Sequence, residues 1–417
     1  LPAWALLRGG LQAGVRQGAR SLVGTGRHGL RGALVAAEMA LAVMLISGTS
    51  LLFGSVSRLL AVNAGFSTPD RLSMELSLSG PAFNDSGSVT QAWRGALAAV
   101  EAIPGVRAAA LASQIPLGGN FDSYGLHRTD RPGANPAEDP SAQRYAVTPR
   151  YLEVMNIPLK SGRLITDADR ADAPLVLLLN EAAATRLFPD GSAIGHSFRI
   201  GGNRQFTVVG IVRNTLHGGL DDREDMQMYI PGEQWGEEGG MTLVVHTRVP
   251  VQSTIPAVRQ AQRGAVPGIA ISKVATLERL MDLSTANRRF ALALFAGFAG
   301  VALVLATAGL YGVLAATVVE RTREIGVRTA LGAQRGSILA MVVRQGMLLT
   351  VLGLVVGLFA TWGSTRIIST LLFGVGASDP LVLVAVVSTL GMGALLACAL
   401  PAWRASRVDP VIALRGS

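Results

Sequence analysis

Four long runs of apolar residues dominate the pattern of the chain, at positions 32–57, 290–319, 345–365 and 380–403. Charged residues bound each run and are almost absent inside it. Each run exceeds the roughly 20 residues that a helix needs to cross the hydrocarbon core of a bilayer. The pattern therefore predicts four transmembrane helices. The second run is the longest, which predicts either a helix that continues beyond the bilayer as a stalk or a tilted one.

The segment between the first two runs alternates between strand-like and helix-like patterns. A strand, a helix and a strand are predicted at 72–78, 89–102 and 106–113, and the same order recurs at 241–247, 254–264 and 269–274. Thr254 is the predicted N-terminal cap of the second of these helices. Two β-α-β units on either side of an insert at about 140–235 indicate a split ferredoxin-like module.

Within the insert, the pattern predicts strands at 175–179 and 206–212 and a helix at 181–188. A further helix at 277–289 is expected to run directly into the second apolar run. The predicted fold class is an α-helical membrane protein with four transmembrane helices plus one large α+β extracytoplasmic domain at 58–289.

The distribution of charge predicts the orientation of these segments. Only 16% of the residues are charged, which is typical of a membrane protein, and the net charge is +9. Residues 58–289 hold equal numbers of acidic and basic side chains, whereas the basic excess lies in 1–31, 320–344 and 404–417. By the positive-inside rule these three segments are cytoplasmic, and 58–289 and the short loop 366–379 are extracytoplasmic. The basic composition thus reports topology and predicts no nucleic acid partner.

Motifs for nucleotide or metal binding are absent from the sequence. A phosphate-binding P-loop requires a Gly-Lys-Ser/Thr triplet, and neither of the two lysines, Lys160 and Lys273, lies in one. The histidines lack metal-ligand spacing, and acidic clusters at 167–172 and 221–225 fit solvated loops better than calcium loops. The single cysteine, Cys398, lies in the fourth apolar run and cannot form an internal disulfide. The sequence predicts no cofactor in this chain and no catalytic activity of its own.

Glu38 is an acidic residue inside the first apolar run. An ionisable residue within a membrane helix is a functional candidate by default. Its position near the basic end of the run would let its side chain reach the membrane interface, which favours a structural role.

A short charged segment at 320–333 separates the second and third apolar runs, so it must lie at a membrane face. Glu324 and Arg328 are four residues apart, which places them on one face of a helix in the favourable order. Gly326 within that helix indicates either close approach of another backbone or a kink. The segment also offers a small apolar surface and a helix-ending glycine, from Ile325, Ala330, Leu331 and Gly332. A solvated turn and a docking helix are both compatible with these features.

The string at 321–333 resembles the coupling helix of the MacB/FtsX-type permeases of ABC transporters. Further stretches at 147–163, 208–212 and 401–415 resemble the periplasmic domain and the C-terminal end of the same family. Four apolar runs with a large segment after the first are similar to its topology. The resemblance therefore covers essentially the whole chain.

The resemblance implies mechanotransmission, in which a dimer of four-span units docks on two ABC ATPase subunits. ATP would be bound by the partner ATPase, and the MacB-like domain in the periplasm would rearrange while the helices remain in the lipid of the bacterial inner membrane. The second permease unit would be an identical copy or a homologous half. Thr329 departs from the basic or large residue often found in relatives, which leaves partner specificity open. The implied ATPase-coupling residues are Arg321, Arg323, Glu324, Ile325, Gly326, Arg328, Leu331 and Gly332.

The residues at 1–4 recur at 400–403, and the chain starts with leucine. These features predict the C-terminal half of a duplicated permease; a surface-bound amphipathic helix at the start is the alternative.

For function, export or efflux, with or without a periplasmic or outer-membrane partner, is one hypothesis. A signalling scaffold of FtsX type, which activates an envelope enzyme or senses an antimicrobial peptide, is another. A third is a degenerate half that only supports its twin.

Overall fold

The computed structural model describes residues 19–130, 138–222, 225–236, 238–331, 334–368 and 380–405. These residues form two compact units. The helical unit comprises the described residues up to 58 and from 288 onward, and the α/β unit comprises the described residues of 59–287. The predicted N-terminal segment at 1–18, most of the loop at 366–379 and most of the tail lie outside the described residues.

The described helices and strands follow one another in an order that keeps the long helices at the two ends of the chain. The helices are α1 Ala19–Leu60, α2 Ser86–Glu101, α3 Tyr151–Met155, α4 Glu181–Leu187, α5 Gly232–Trp235, α6 Val251–Ala265, α7 Leu277–Glu320, α8 Thr322–Ala330, α9 Arg335–Ile368 and α10 Pro380–Ala405. The strands are β1 Arg71–Ser77, β2 Val106–Ala112, β3 Ser123–Gly125, β4 His127–Arg128, β5 Ser141–Val147, β6 Leu159–Gly162, β7 Val176–Asn180, β8 Ser197–Ile200, β9 Arg204–Val212, β10 Gln227–Pro231, β11 Gly240–Thr247 and β12 Ala270–Thr276.

Four of the described helices are long and apolar enough to cross a membrane: Leu30–Leu60, Leu277–Glu320, Gly336–Gly363 and Leu383–Ala405. They belong to α1, α7, α9 and α10, and each of these four helices contains one of the predicted apolar runs in full. The helix predicted at 277–289 is confirmed, because α7 is continuous over 44 residues. At 1.5 Å per residue it is about 66 Å long, roughly twice the thickness of a bilayer core. The predicted segment 320–344 is divided between α8 and the start of α9, which begins at Arg335.

The helical unit is held together by small residues that let helix backbones approach closely. Gly353 and Gly357 of α9 form a Gly-x-x-x-Gly pair that faces α1. A Cβ atom built at Gly357 would lie 2.5 Å from Val43 Cβ and 2.8 Å from the Ala40 carbonyl oxygen, and one at Gly353 would be equally close to Met39. In a bilayer the hydrophobic effect does not drive apolar helices together, because the lipid tails are equally apolar. Close van der Waals packing of this kind is therefore a main source of helix–helix association.

The first and last parts of the α/β unit form the predicted ferredoxin-like module. Strands β12, β1, β11 and β2 lie side by side in that order, all antiparallel, and α2 packs against α6. Asp85 caps α2 by accepting a hydrogen bond from the Ser88 amide, at 2.9 Å. The prediction that Thr254 caps the second helix is wrong. The helix α6 begins at Val251, directly after Pro250, and Thr254 is a buried residue of its first turn.

The inserted segment is longer than the predicted range of 140–235, because the chain leaves β2 at Ala112 and returns at Gly240. It extends the same sheet in the order β2-β5-β10-β7-β9-β8-β4, with β3 on β5 and β6 on β9. The predicted strands and helix of the insert are confirmed as β7, β9 and α4. Asn180 starts α4 by accepting a hydrogen bond from the Ala183 amide, at 3.0 Å.

Three buried tyrosines and a histidine pack together within the insert. The rings of Tyr145 and Tyr229 stack with centroids 4.9 Å apart, and Tyr151 packs beside both. His217 Nε2 donates to the Asn120 carbonyl at 2.6 Å, so its Nδ1 accepts from the Tyr145 hydroxyl. The second bond requires the neutral imidazole, because a protonated Nδ1 cannot accept, and burial lowers the pKa of His217 below its usual 6.5.

Acidification is expected to destabilise the α/β unit through His217. The unfolded chain binds a proton at this residue near pH 6.5, whereas the folded chain resists it, so stability is full above pH 6.5 and falls below it. Thermal unfolding at pH 7.5 and pH 5.5 measures the effect. At pH 7.5 the His217→Asn variant should have a lower unfolding temperature than wild type. Its unfolding temperature should fall less than that of wild type between pH 7.5 and pH 5.5. His196→Gln, an exposed ring beside Asp130, is the control and should keep the wild-type dependence.

Candidate functional site

The junction between α7 and α8 consists of one residue, Arg321, between Glu320 and Thr322. Helical hydrogen bonds continue across it. The Arg321 amide donates to the Thr317 carbonyl oxygen at 3.0 Å, and the Ile325 amide donates to the Arg321 carbonyl oxygen at 2.9 Å. The Thr322 hydroxyl also lies within hydrogen-bond distance of two carbonyls of the last turn of α7. The short helix is therefore fastened to the end of α7, and no flexible loop separates them.

The inward face of α8 is anchored in the core of the helical unit. Ile325 is 1% exposed and belongs to the same buried cluster as Leu314 of α7 and Val342 of α9. Gly326 is buried beside it. The expectation that Ile325 contributes to an exposed apolar surface is thus wrong, because the branched side chain lies on the face that packs against the long helices. Its role is to fix the position of α8.

The outward face of α8 carries both charges and apolar side chains. Glu324 and Arg328 form the predicted ion pair, with 2.6 Å between Oε1 and Nη2. Their side chains are about half exposed, so the pair itself contributes little to stability. Arg328 also donates through Nη1 to Met341 Sδ of α9 at 3.4 Å, which holds its guanidinium near the long helix.

Apolar side chains extend this face beyond the ion pair. Leu331 is 82% exposed and Val327 is 42% exposed. Val327 was missed in the sequence analysis, although its spacing of three residues from Glu324 places it on the same helical face. A shallow depression here is lined by Glu320, Arg321, Arg323, Glu324, Val327 and Arg328. Exposed apolar side chains within a ring of charges are the composition of a protein-docking surface. Gly332 lies outside the described residues.

Glu38, the intramembrane candidate, is half-buried in the helical unit, and its Oε2 atom is fully buried. Its carboxylate packs directly against Gly309 of α7, and Oε2 has no hydrogen-bond partner among the described residues. The sequence analysis expected the Glu38 side chain to extend outward to the membrane interface. The structure instead places its Oε2 atom against Gly309. The absence of a side chain at Gly309 provides the space that the carboxylate occupies.

In the part of the chain that the structure describes, no group of three His, Cys, Asp or Glu side chains is placed to hold a metal ion. The α8 face presents the Glu324–Arg328 ion pair and two exposed apolar side chains, Val327 and Leu331.

Two family profiles match the chain over most of its length. Residues 33–264 match the MacB-like periplasmic core domain, and residues 296–410 match the FtsX-like permease C-terminal domain. The α8 helix lies within the second match, and the first match runs from α1 to the last turn of α6.

Similar proteins carry consistent names. A protein of Bacillus subtilis (strain 168) named "uncharacterized ABC transporter permease YvrN" is 30% identical over 290 residues, which are 66% of this chain and 70% of that protein. "Macrolide export ATP-binding/permease protein MacB 1/2" of Paracoccus denitrificans (strain Pd 1222) is 29% identical over 74% of this chain and 46% of its own length. The crystal structure of the periplasmic region of MacB from Actinobacillus actinomycetemcomitans aligns with 52% of this chain and 94% of its own, at 15% identity and a TM-score of 0.35. From the matched profiles and relatives, the chain belongs to the MacB/FtsX-type family of ABC transporter permeases.

Proposed function

We propose that this chain is the permease of an ABC transporter in the bacterial inner membrane, and that α8 docks on a separate ATPase subunit. The observation that carries the proposal is the two-sided character of α8. Its inner face is anchored by Ile325, while its outer face exposes Glu324, Arg328 and Leu331 between two helices long enough to cross a membrane. In this proposal the partner ATPase binds ATP, and this chain holds no nucleotide.

Motion of the docked helix would pass to the α/β unit through α7. The hydrogen bonds across Arg321 join α8 to the end of α7. At the other end of the same continuous helix, Leu277 is fully buried in the core of the α/β unit. A displacement of α8 caused by ATP binding would therefore be transmitted along one helix to a domain that we place in the periplasm. We propose that two such permease units act together and that the cycle drives export, the activity in the names of the MacB relatives.

Reversing the charge of Arg328 is expected to lower permease-dependent ATP hydrolysis about tenfold, because a charge at a protein interface loses its partner and meets repulsion. The chain in lipid nanodiscs is combined with the ATPase that co-purifies with it, and Arg328→Glu is compared with wild type. Arg328 is exposed, so the variant should fold. Arg199→Glu, an exposed residue of β8, is the matched control and should leave hydrolysis unchanged.

A second variant separates docking from the ion pair within α8. Exchanging the two residues, Glu324→Arg with Arg328→Glu, restores an intrahelical pair but reverses the pattern presented to the partner. If α8 docks on the ATPase, the exchanged variant should show the same low permease-dependent ATP hydrolysis as Arg328→Glu. Recovery of full ATP hydrolysis by the exchange would show that only the pair matters, and the docking proposal would then be abandoned.

A further inference from the structure

The α/β unit contains a cleft of about 420 Å³ between helix α2 and the ends of strands β5 and β10. This volume lies in the range of small-molecule sites, which are typically about 300–1,000 Å³ and mostly apolar. Its floor is built from side chains of both the ferredoxin-like module and the insert. The apolar lining comes from Val89, Trp93, Leu97, Val147, Pro149 and Met241.

The walls of the cleft are fixed by hydrogen bonds between distant parts of the chain. Trp93 of α2 donates through Nε1 to the Glu238 carbonyl oxygen at 2.8 Å. At the rim, Arg94 forms two bonds of 2.7 Å with the carboxylate of Glu233 of α5, so that one ion pair links the two sides. The cleft is therefore held open as a preformed cavity, which lowers the entropy cost of filling it.

The carboxylates that line the cleft differ in how they are paired. The cleft is lined by four acidic residues but only two arginines. Glu233 is paired with Arg94, Asp169 with Arg163, and Glu238 with Arg144. Asp167 is exposed at the rim and makes no hydrogen bond or ion pair with any residue that the structure describes, although its charge helps Glu233 to raise the pKa of Arg94. Arg170, the other arginine, lies 3.8 Å from Asp172.

We propose that this cleft is a binding site for an amphiphile that combines an apolar body with a positively charged amine. The apolar body fills the space beside α2, where it removes apolar surface from water. The amine lies near the rim, where the exposed carboxylate of Asp167 provides a counter-charge that is not held in an ion pair. An anionic ligand of the same shape meets an excess of acidic groups, and the arginines that could receive it are already engaged by carboxylates.

The inference goes beyond the proposed coupling function, since binding requires neither ATP nor an ATPase. It is therefore tested on the full chain alone, in nanodiscs, with empty nanodiscs to subtract partition into lipid. The probes are dansylcadaverine, which carries an amine, and dansyl-6-aminohexanoate, which carries a carboxylate on a tail of similar length. Dansyl fluorescence reports entry into an apolar site. We expect saturable binding of the amine probe, at least fivefold tighter than that of the carboxylate probe.

Two variants locate the site. Asp167→Lys should weaken binding of the amine probe about tenfold, and Asp190→Lys, the same charge change at an exposed turn, should not. Thr90→Phe places a ring in the cleft from α2 and should abolish binding of both probes, while circular dichroism reports whether the fold is kept. The proposal is overturned if fluorescence matches that of empty nanodiscs, if both probes bind equally, or if Asp167→Lys and Asp190→Lys behave alike.

Discussion

The Gly357→Leu variant is expected to fail to form a stable helical unit. A side chain at this position would meet Val43 Cβ at 2.5 Å and the Ala40 carbonyl oxygen at 2.8 Å. The second of these atoms is backbone, so relief of the clash requires α1 to move away from α9 along its length. Overpacking typically costs about 1–3 kcal/mol, and a clash with helix backbone lies at or above the top of that range. Thermal unfolding in detergent and the yield of monodisperse protein are the measurements.

Gly363→Leu is the matched control for this prediction. It lies in the same helix, and a Cβ built there has no described heavy atom within 4 Å. We expect the control to keep the wild-type unfolding temperature or to raise it slightly, because leucine is a better helix former than glycine. Equal behaviour of the two variants would mean that close contact between α1 and α9 does not hold the helical unit together.

The sequence predicted the long helices well because the thickness of a bilayer sets their length. It did not predict which helices touch. The Gly353 and Gly357 spacing was visible and is a known packing motif, but the motif does not name its partner. Only the structure shows that these glycines face Met39 and Val43 of α1. The same limit applies to Glu38, since its contact with Gly309 depends on the pairing of α1 with α7.

In the α/β unit, periodicity identified six strands, β1, β2, β7, β9, β11 and β12. It missed β5 and β10, although these are buried strands of seven and five residues. It also missed β3, β4, β6 and β8, which have four residues or fewer and are too short to show a period. The start of the insert was therefore placed near 140, although the chain leaves the ferredoxin-like module at Ala112. The error at Thr254 has a different cause. Pro250 starts α6 without a side-chain cap, so the residue type expected at a cap was found inside the helix.

At the candidate docking helix, spacing along the sequence correctly predicted the ion pair of Glu324 and Arg328. It could not determine which face of α8 packs inward, because the segment has apolar residues on two sides. Ile325 lies in the core, whereas Leu331 is exposed. The cleft in the α/β unit could not be predicted from the sequence either. Its lining comes from parts of the chain as far apart as Trp93 and Met241, which only the folded sheet brings together.

The Arg144→Met variant is expected to lower the unfolding temperature of the α/β unit by about 6–12 °C, which corresponds to about 3 kcal/mol for a domain of this size. Arg144 is 4% exposed on β5 and pairs with both Asp122 and Glu238. Methionine fills much of the same volume but leaves two partly buried carboxylates without a counter-charge. Tryptophan fluorescence is a suitable probe, because the guanidinium lies 4.4 Å from the centroid of the Trp235 ring.

Arg204→Met is the control for Arg144→Met, because it removes a guanidinium that stacks on Trp235 without breaking an ion pair. The Arg204 guanidinium lies 4.2 Å from the same Trp235 centroid, but it donates to backbone carbonyls and has no carboxylate partner among the described residues. We expect its loss to cost about 1 kcal/mol, the value of a cation–π contact with its hydrogen bonds. Adding Asp122→Asn and Glu238→Gln to Arg144→Met removes the uncompensated charges and should recover most of the lost stability. If the triple variant unfolds as early as Arg144→Met alone, stacking and packing around Trp235 stabilise this junction, and the ion pairs contribute little.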